Sequence, residues 1–365
     1  MIPIFEPVFE GAERDYLMSC IDTGWISSQG AYIEKFEAAF AEYCGMPAGV
    51  STSSCTTALH LALVALDVGP SDEVICPDLT FIAPANMIAL CGARPVLVDV
   101  EADTWAIDPA RLENAITPRT KAVIVVHPFG HVADMDPIME ICERHAIPVI
   151  EDVAEAPGAF YKDHMAGSFG VLSCFSFFAN KIMTTGEGGM ILTRDSDLEK
   201  RLRIYRDHGM SRERRYHHIV AGYNYRMTNM QAAVGLGQLE RMDTILARRT
   251  MQDTQYRQRL TDGGLSYRPV RANCRPVHWL ATITLNDAAD RDPLLAHLKD
   301  NAIDGRQMVF PVHEAVPYAN TNDPADFPIA TSISHRSLHL PSGMGLSSED
   351  VDHVCNLVID WVAAR

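Results

Sequence analysis

Residues 48–66, AGVSTSSCTTALHLALVAL, set a short strand-like run against a helix-forming run, with small hydroxyl residues between them. Ala48–Ser53 reads as a strand and TTALHLALVAL as a helix, and the same unit recurs down the chain. Asp72–Cys76 reads as a strand followed by a helix over Ala83–Leu90. Further strands fit Pro95–Val100, Ala122–His127 and Pro148–Asp152, with a helix over Pro137–His145 on one crossover, and then Val171–Phe177 and Gly189–Thr193. Such alternation is the signature of a parallel sheet flanked by helices. Two helices, Glu10–Asp22 and Tyr32–Tyr43, come before it. Helices dominate from Leu198 to about Leu260, including a long one around Met230–Arg249. At Asp262-Gly263-Gly264 the pattern changes to a strand near His278–Leu285, a helix near Pro293–Asn301, another short strand and a terminal helix from Ser347. The expected organisation is a large α/β domain over residues 1–260 and a small α+β domain over 261–365.

Composition narrows the function classes. At 365 residues with 47% hydrophobic and 21% charged residues, the chain has ordinary globular composition and enough length to bury a large core. A formal net charge of −16 argues against a nucleic-acid partner, which needs clustered cations. The one basic cluster, Arg201, Arg203, Arg206, Arg212, Arg214 and Arg215, reads as a solvated helix face and loop. Nine cysteines are scattered singly with no CxxC pair, so neither structural disulfides nor zinc is expected, and a reducing cytoplasm is the simplest compartment. The opening MIPIFEPVFEGAERD lacks the basic start and apolar core of a secretory signal, and no apolar run has the length of a membrane span.

In open α/β sheets ligands bind beyond the carboxyl ends of the strands, so polar residues that follow strands belong together. Ser53 to Thr57 lead from a strand into a helix, where free N–H groups and the helix dipole suit a phosphate; ordinary N-capping would use the same residues. Asp152 closes a strand in VIEDVAEA, where a buried carboxylate needs a partner such as a protonated pyridine nitrogen, or else caps the next turn. Phe81, in PDLTFIAPAN, is placed to stack on a flat ring or to fill core. Ser176 ends a strand, and its hydroxyl could reach the same phosphate or bond the backbone. Lys181 then emerges between the aromatic run of LSCFSFFANKIMTTGEGGM (172–190) and its glycine-rich turn. Dry surroundings disfavour an ammonium, and a neutral amine adds to a carbonyl to form a Schiff base. A phosphate cradle, a stacking ring, a carboxylate for a pyridinium and a lysine for an aldehyde are together the needs of pyridoxal 5′-phosphate.

The ordered blocks GWISSQGAYIEKFEAAFAEYCG, SCTTALHLAL, DEVICPDLTFIAPAN, CGARPVLVDV, IEDVAEAPGA, SFFANKIMTTGEGGM and GYNYRMTNMQAA span nearly the whole chain. They resemble the DegT/DnrJ/EryC1/StrS family of sugar-nucleotide aminotransferases, within the fold type I, aspartate-aminotransferase-like superfamily. The GWIS, TTGEGGM and NYRMTN blocks look most like those of the branch that makes GDP-perosamine. That resemblance implies pyridoxal phosphate held on Lys181 as a Schiff base, with Asp152 on the ring nitrogen and Phe81 stacked on the ring. Ser54, Cys55 (through its backbone N–H), Thr56 and Ser176 would hold the phosphate, and Glu155 would lie near the ring hydroxyl or the substrate. Asn224 would reach the phosphate of a neighbouring subunit, implying a homodimer with shared sites. The implied reaction moves an amino group from glutamate to the C4 keto group of a nucleotide-linked 4-keto-6-deoxy sugar.

Three positions depart from the family's commonest pattern: Cys55 replaces a frequent glycine, Pro84 stands where a small polar residue is common, and Pro157 follows the carboxylate segment. Lys181 is a lysine and not the histidine of dehydrating relatives, which favours transamination. Candidate substrate contacts are Trp25, Ser27 and Ser28 in GWISS, and Arg306 and His313 in GRQMVFPVH; Trp25 also suits a core, and His313 a satisfied loop. The competing readings are a UDP- or dTDP-linked acceptor, a non-catalytic cofactor-binding regulator, and a lyase acting on an amino acid.

Overall fold

Apolar runs such as KAVIVV and EVICP carry side chains suited to burial on both faces, and they lie in the middle of a seven-stranded sheet. The computed structural model describes residues 1–365. In chain order the strands are β1 (Ala48–Thr52), β2 (Glu73–Pro77), β3 (Arg94–Val98), β4 (Thr120–Val126), β5 (Val149–Asp152), β6 (Phe160–Tyr161), β7 (His164–Met165), β8 (Leu172–Ser176), β9 (Gly189–Thr193), β10 (Ser266–Tyr267), β11 (Cys274–Arg275), β12 (Ala281–Thr284), β13 (Arg306–Gln307) and β14 (Ser337–Leu340). The helices are α1 (Glu13–Thr23), α2 (Ala31–Tyr43), α3 (Cys55–Ala65), α4 (Ala83–Leu90), α5 (Pro109–Ala115), α6 (Met135–Arg144), α7 (Ser196–Arg206), α8 (Asn229–Leu239), α9 (Met242–Asp262), α10 (Arg291–Asp300), α11 (Pro328–Arg336) and α12 (Ser348–Ala363).

The central sheet runs β1-β9-β8-β5-β4-β2-β3. Only β9 is antiparallel, pairing with β1 on one side and β8 on the other. The carboxyl ends of β1, β4, β5 and β8 therefore share one edge of the sheet with the beginning of β9. This mostly parallel α/β architecture is the expected fold class. A second sheet, β10-β12-β14-β13, is antiparallel and packs with α10, α12 and the end of α9 around a separate core that includes Tyr256, Leu294, Leu338 and Val354. Helix α9 serves both cores, with Met242 and Ile245 in the first and Tyr256 and Leu260 in the second. The first residues join the second sheet: Ile2 N–H donates to Ala302 O at 2.8 Å, and Ser342 N–H donates to Ile4 O at 2.8 Å.

Sequence periodicity left open which body the first two helices join; both α1 and α2 pack on α8. Thr228 opens α8 with a capping box to Gln231, as its position ahead of an apolar run suggests. The structure differs from the sequence reading at four places. The stretch around Met230–Arg249 is two helices, because the chain turns at Glu240–Arg241, where Arg241 pairs with Glu10 and Glu13. Residues 207–228 are irregular rather than helical; Gly209 has φ +68°, and a Cβ there would sit 1.9 Å from Val220 O. Helix α5 has no counterpart in the sequence reading, although Asp108 caps it by accepting from Ala110 N–H at 2.9 Å and Pro109 starts it. The basic cluster is partly internal: Arg203 and Arg206 both pair with buried Glu37 at 2.8 and 2.7 Å, and Arg201 pairs with Asp67.

Phe40 of α2 is fully buried, its ring 5.9 Å from Phe36, 5.0 Å from Phe175 and 5.1 Å from Phe177. Phe40→Ala opens a cavity under β8 and is expected to cost about 3–5 kcal/mol in chemical denaturation. A loss below about 1 kcal/mol would show that α2 does not anchor this core.

Candidate active site

Asp152 and Ser176 end strands at the shared sheet edge, and Ser54 and Lys181 lie in the turns that follow β1 and β8. Beyond β8 the chain turns tightly: Lys181 N–H donates to Phe178 O at 3.0 Å and Thr185 N–H to Phe177 O at 2.9 Å, returning the chain to β9. That turn delivers Lys181, whose side chain is 12% exposed, to a point where Nζ lies 3.2 Å from Glu155 Oε1. The other Glu155 oxygen accepts Phe129 N–H at 2.7 Å, so the carboxylate is fixed before any ligand arrives.

Asp152, at the end of β5, is buried and accepts Ala154 N–H at 3.0 Å on Oδ1, with the Cys55 thiol 3.9 Å from the same oxygen. Oδ2 has no partner within the chain. Beneath it, His127 accepts Ala133 N–H on Nδ1 and so donates from Nε2 to Glu151 at 3.0 Å. Glu151 also takes the N–H groups of Gly167, Phe169 and Gly170, which satisfies a fully buried carboxylate. Burial pushes the Asp152 carboxyl up to about 6; the charge of Glu155 adds to this, while the Ala154 N–H and the charge of Lys181 oppose it.

At the turn into α3, Ser54 makes the capping box with Thr57, so the local capping role is present. The N–H groups of Cys55 and Thr56 have no backbone partner and open toward the same edge. Gly189 is what lets β9 pass this turn: a Cβ there would lie 2.6 Å from Ser54 C and O and 2.7 Å from Cys55 N. Ser176 is buried, with Oγ accepting Phe178 N–H at 3.3 Å. Phe81 is 62% exposed, leaving a ring face free.

The remaining candidates are more scattered. Asn224 is exposed, and its Oδ1 accepts from Arg226 Nε at 3.0 Å; within the chain it is Tyr225 O that meets the α3 turn, accepting Ser53 N–H at 2.9 Å. Trp25 and Ser27 are exposed on the loop between α1 and α2, and their carbonyls hold Asn229 at 2.7 Å each; Ser28 is half-buried there. Arg306 lies exposed on β13 opposite His339, whose ring is 5.0 Å from that of Phe129. His313 is buried: Nδ1 lies 2.7 Å from Asp78 Oδ2, its N–H donates to Asp78 Oδ1 at 2.8 Å, and its ring stacks on Phe327 at 4.7 Å. It therefore clamps the loop leading to Phe81 rather than meeting Lys181. Two aromatic residues at the lysine were missed. Phe129 follows the strand ending at His127, a position the strand-end rule could have flagged, and it holds a left-handed φ of 51°. Trp279 lies under Lys181 with Nζ 3.6 Å from its ring centroid, and nothing in VHWL marks it.

The DegT/DnrJ/EryC1/StrS aminotransferase family model matches residues 8–359. The chain belongs to this family. It is 47% identical over 357 residues to the GDP-perosamine synthase of Caulobacter vibrioides, covering 97% of this chain and 96% of the relative. It is 41% identical over 367 residues to that of Escherichia coli O157:H7, covering 100% and 99%. Among solved structures, the aminotransferase TlmJ of Streptoalloteichus hindustanus superposes with a TM-score of 0.94 at 33% identity, covering 100% and 99%. Helicobacter pylori PseC, an aminotransferase involved in the biosynthesis of pseudoaminic acid, gives 0.94 at 25%, covering 100% of both chains. This aminotransferase uses pyridoxal phosphate. The site fits it: two unbonded N–H groups and a glycine-lined approach for the phosphate, an open carboxylate oxygen on Asp152, a free Phe81 face and the Lys181 amine.

The raised Asp152 carboxyl carries a sign. Its native value of about 6 exceeds the roughly 3.9 of an unfolded aspartate, so the folded state binds more protons between them. Stability of the cofactor-free protein therefore falls as pH rises through that window. In cofactor-free protein, Asp152→Asn should melt at the same temperature as wild type near pH 4. It should melt higher at pH 8, by a stability difference on the order of 3 kcal/mol at most. Melting curves across pH check this; a difference independent of pH would contradict it.

Proposed function

We propose that this aminotransferase moves the amino group of glutamate onto C4 of GDP-4-keto-6-deoxymannose, giving GDP-perosamine and 2-oxoglutarate. What carries this reading is the end-to-end similarity to three GDP-perosamine synthases, at 39–47% identity. The placement of Lys181 against Glu155, which follows the strand that ends at Asp152, supports the chemistry. When bound, pyridoxal phosphate supplies an aldehyde to carry the amino group and a ring that withdraws electrons.

In this reading the Lys181 amine anchors the cofactor. Once freed, it takes a proton at the donor's α-carbon and returns one to the acceptor's C4, as a base and an acid within reach of both. Asp152, ionised by a cationic ring nitrogen, keeps that nitrogen protonated. The N–H groups of Cys55 and Thr56, with the Ser54 and Ser176 hydroxyls, bind the phosphate, and Phe81 covers the ring. Glu155 orients Lys181. Arg306 has no ion-pair partner in the chain and suits an anionic substrate group, while Trp25 and Ser27 are exposed for contact and Ser28 is half-buried beside them. His313 acts through the loop that carries Phe81.

We also infer a homodimer with shared sites. Asn224 is exposed beside Arg226, and the apolar Trp25, Ile26 and Ile219 are each about half exposed without a partner. All nine cysteines are unpaired, as suits a reducing cytoplasm, and no helix is long and apolar enough to cross a membrane.

The test is a panel of GDP-, UDP- and dTDP-linked 4-keto sugars with glutamate, read by the mass of the amino product. The GDP-linked acceptor should turn over best, and a preference for a UDP or dTDP sugar would overturn the assignment. Lys181→Ala should lose the cofactor's Schiff-base absorbance and at least about 100-fold in turnover; normal turnover would remove Lys181 from its role.

A further inference from the structure

Lys181 is held from two sides. Glu155 meets its ammonium at 3.2 Å, and the centroid of the Trp279 ring lies 3.6 Å from Nζ, well inside cation–π range. The residue is itself fixed at three points. Its Nε1–H donates to Asn180 O at 2.6 Å, next to the lysine in sequence. Its ring stacks on Phe129 at 6.0 Å with planes 8° apart, and its backbone carbonyl accepts from buried Arg249 Nη1 at 3.0 Å. Trp279 is 7% exposed and lies just ahead of β12, so the second sheet brings it to a lysine that the first sheet positions.

We propose that Trp279 is a positioning residue, a seat whose π face holds the Lys181 ammonium within reach of the reacting carbons whenever the amine is protonated and not bonded to the cofactor, as it is just after it has taken the donor's proton. A tryptophan that merely filled core would be replaceable by an aliphatic side chain of similar bulk. An electrostatic seat needs an aromatic face, because the attraction comes from the ring quadrupole. The geometry favours the seat: the cation lies over the ring in a nearly closed site, where water screens little. In each half of a transamination the freed amine leaves the aldehyde neutral, takes up a proton to become the ammonium, and must then stay near to return it. The proposal rests on Lys181 being the reacting lysine.

The experiment uses cofactor-free, full-length protein. Labelling of Lys181 by an amine-reactive reagent is followed across pH by mass spectrometry of the Lys181 peptide. The limiting rate at high pH reports access to the amine; the midpoint of the profile reports how well the ammonium is held. In Trp279→Leu the midpoint should move about one unit to lower pH, so that label enters about tenfold faster at neutral pH; Trp279→Phe, which keeps a ring face, should move it less than half as far. An unchanged midpoint in Trp279→Leu, or a shift as large in Trp279→Phe, would overturn the proposal. A second measurement leaves position 279 intact: tryptophan emission of the wild-type protein should change at the labelling midpoint, and that step should vanish in Lys181→Met. Emission that titrates identically in Lys181→Met would also overturn it. Borohydride reduction of the cofactor-bound protein should fix the cofactor to the Lys181 peptide; recovery on another lysine would instead sink the assignment of Lys181 on which the seat depends.

Discussion

The site depends on how closely β9 passes the turn between β1 and α3. Strand β1 has no partner in the sheet except β9, and β9 reaches it only because Gly189 presents no Cβ to the backbone of Ser54 and Cys55. One crossing thus fixes two things. It fastens the strand whose end opens the anion cradle, and it ends the turn that carries Lys181. Glu155 and Asp152 arrive independently from β5, which pairs with β8, so amine and carboxylates are set by adjacent strands rather than by flexible loops.

Much of this was legible in the sequence, for identifiable reasons. Strands buried on both faces give continuous apolar runs, and polar residues at their carboxyl ends stand out against them; Asp152, Ser176 and Lys181 were visible in that way. Gly189–Thr193 and Ala83–Leu90 were read with the bounds the structure has, because glycine-rich or proline-containing turns punctuate them. Helix α5 was missed because seven residues show too little periodicity. The break at Glu240–Arg241 was missed because no glycine or proline marks it; its cause is tertiary, the pairing of Arg241 with Glu10 and Glu13 from the other end of the large body. The seat of Lys181 was unreadable for the same kind of reason. Trp279 is almost a hundred residues from the lysine in sequence, and an isolated tryptophan before a strand looks like any core residue.

Acidity and chemistry are kept apart. A chain of net charge −16 must handle anionic reactants, yet its arginines are largely committed internally: Arg203 and Arg206 on Glu37, and Arg271 on Glu101, Asp103 and Asp134. The turn into α3 offers an anion backbone N–H groups instead, whose orientation costs no mobile side chain.

The strap of Ile2 and Ile4 on the second sheet has a consequence for synthesis. The second sheet takes in Ile2, Ile4 and β14, and its core takes in α12, so it closes only after α12 has left the ribosome. The first core draws mainly on residues 33–245 and can gather earlier, with Lys181, Glu155 and Asp152 already in place. Trp279 comes in with β12. The lysine and both carboxylates are therefore synthesised well before the indole beside them, which the later part of the chain supplies to the first core.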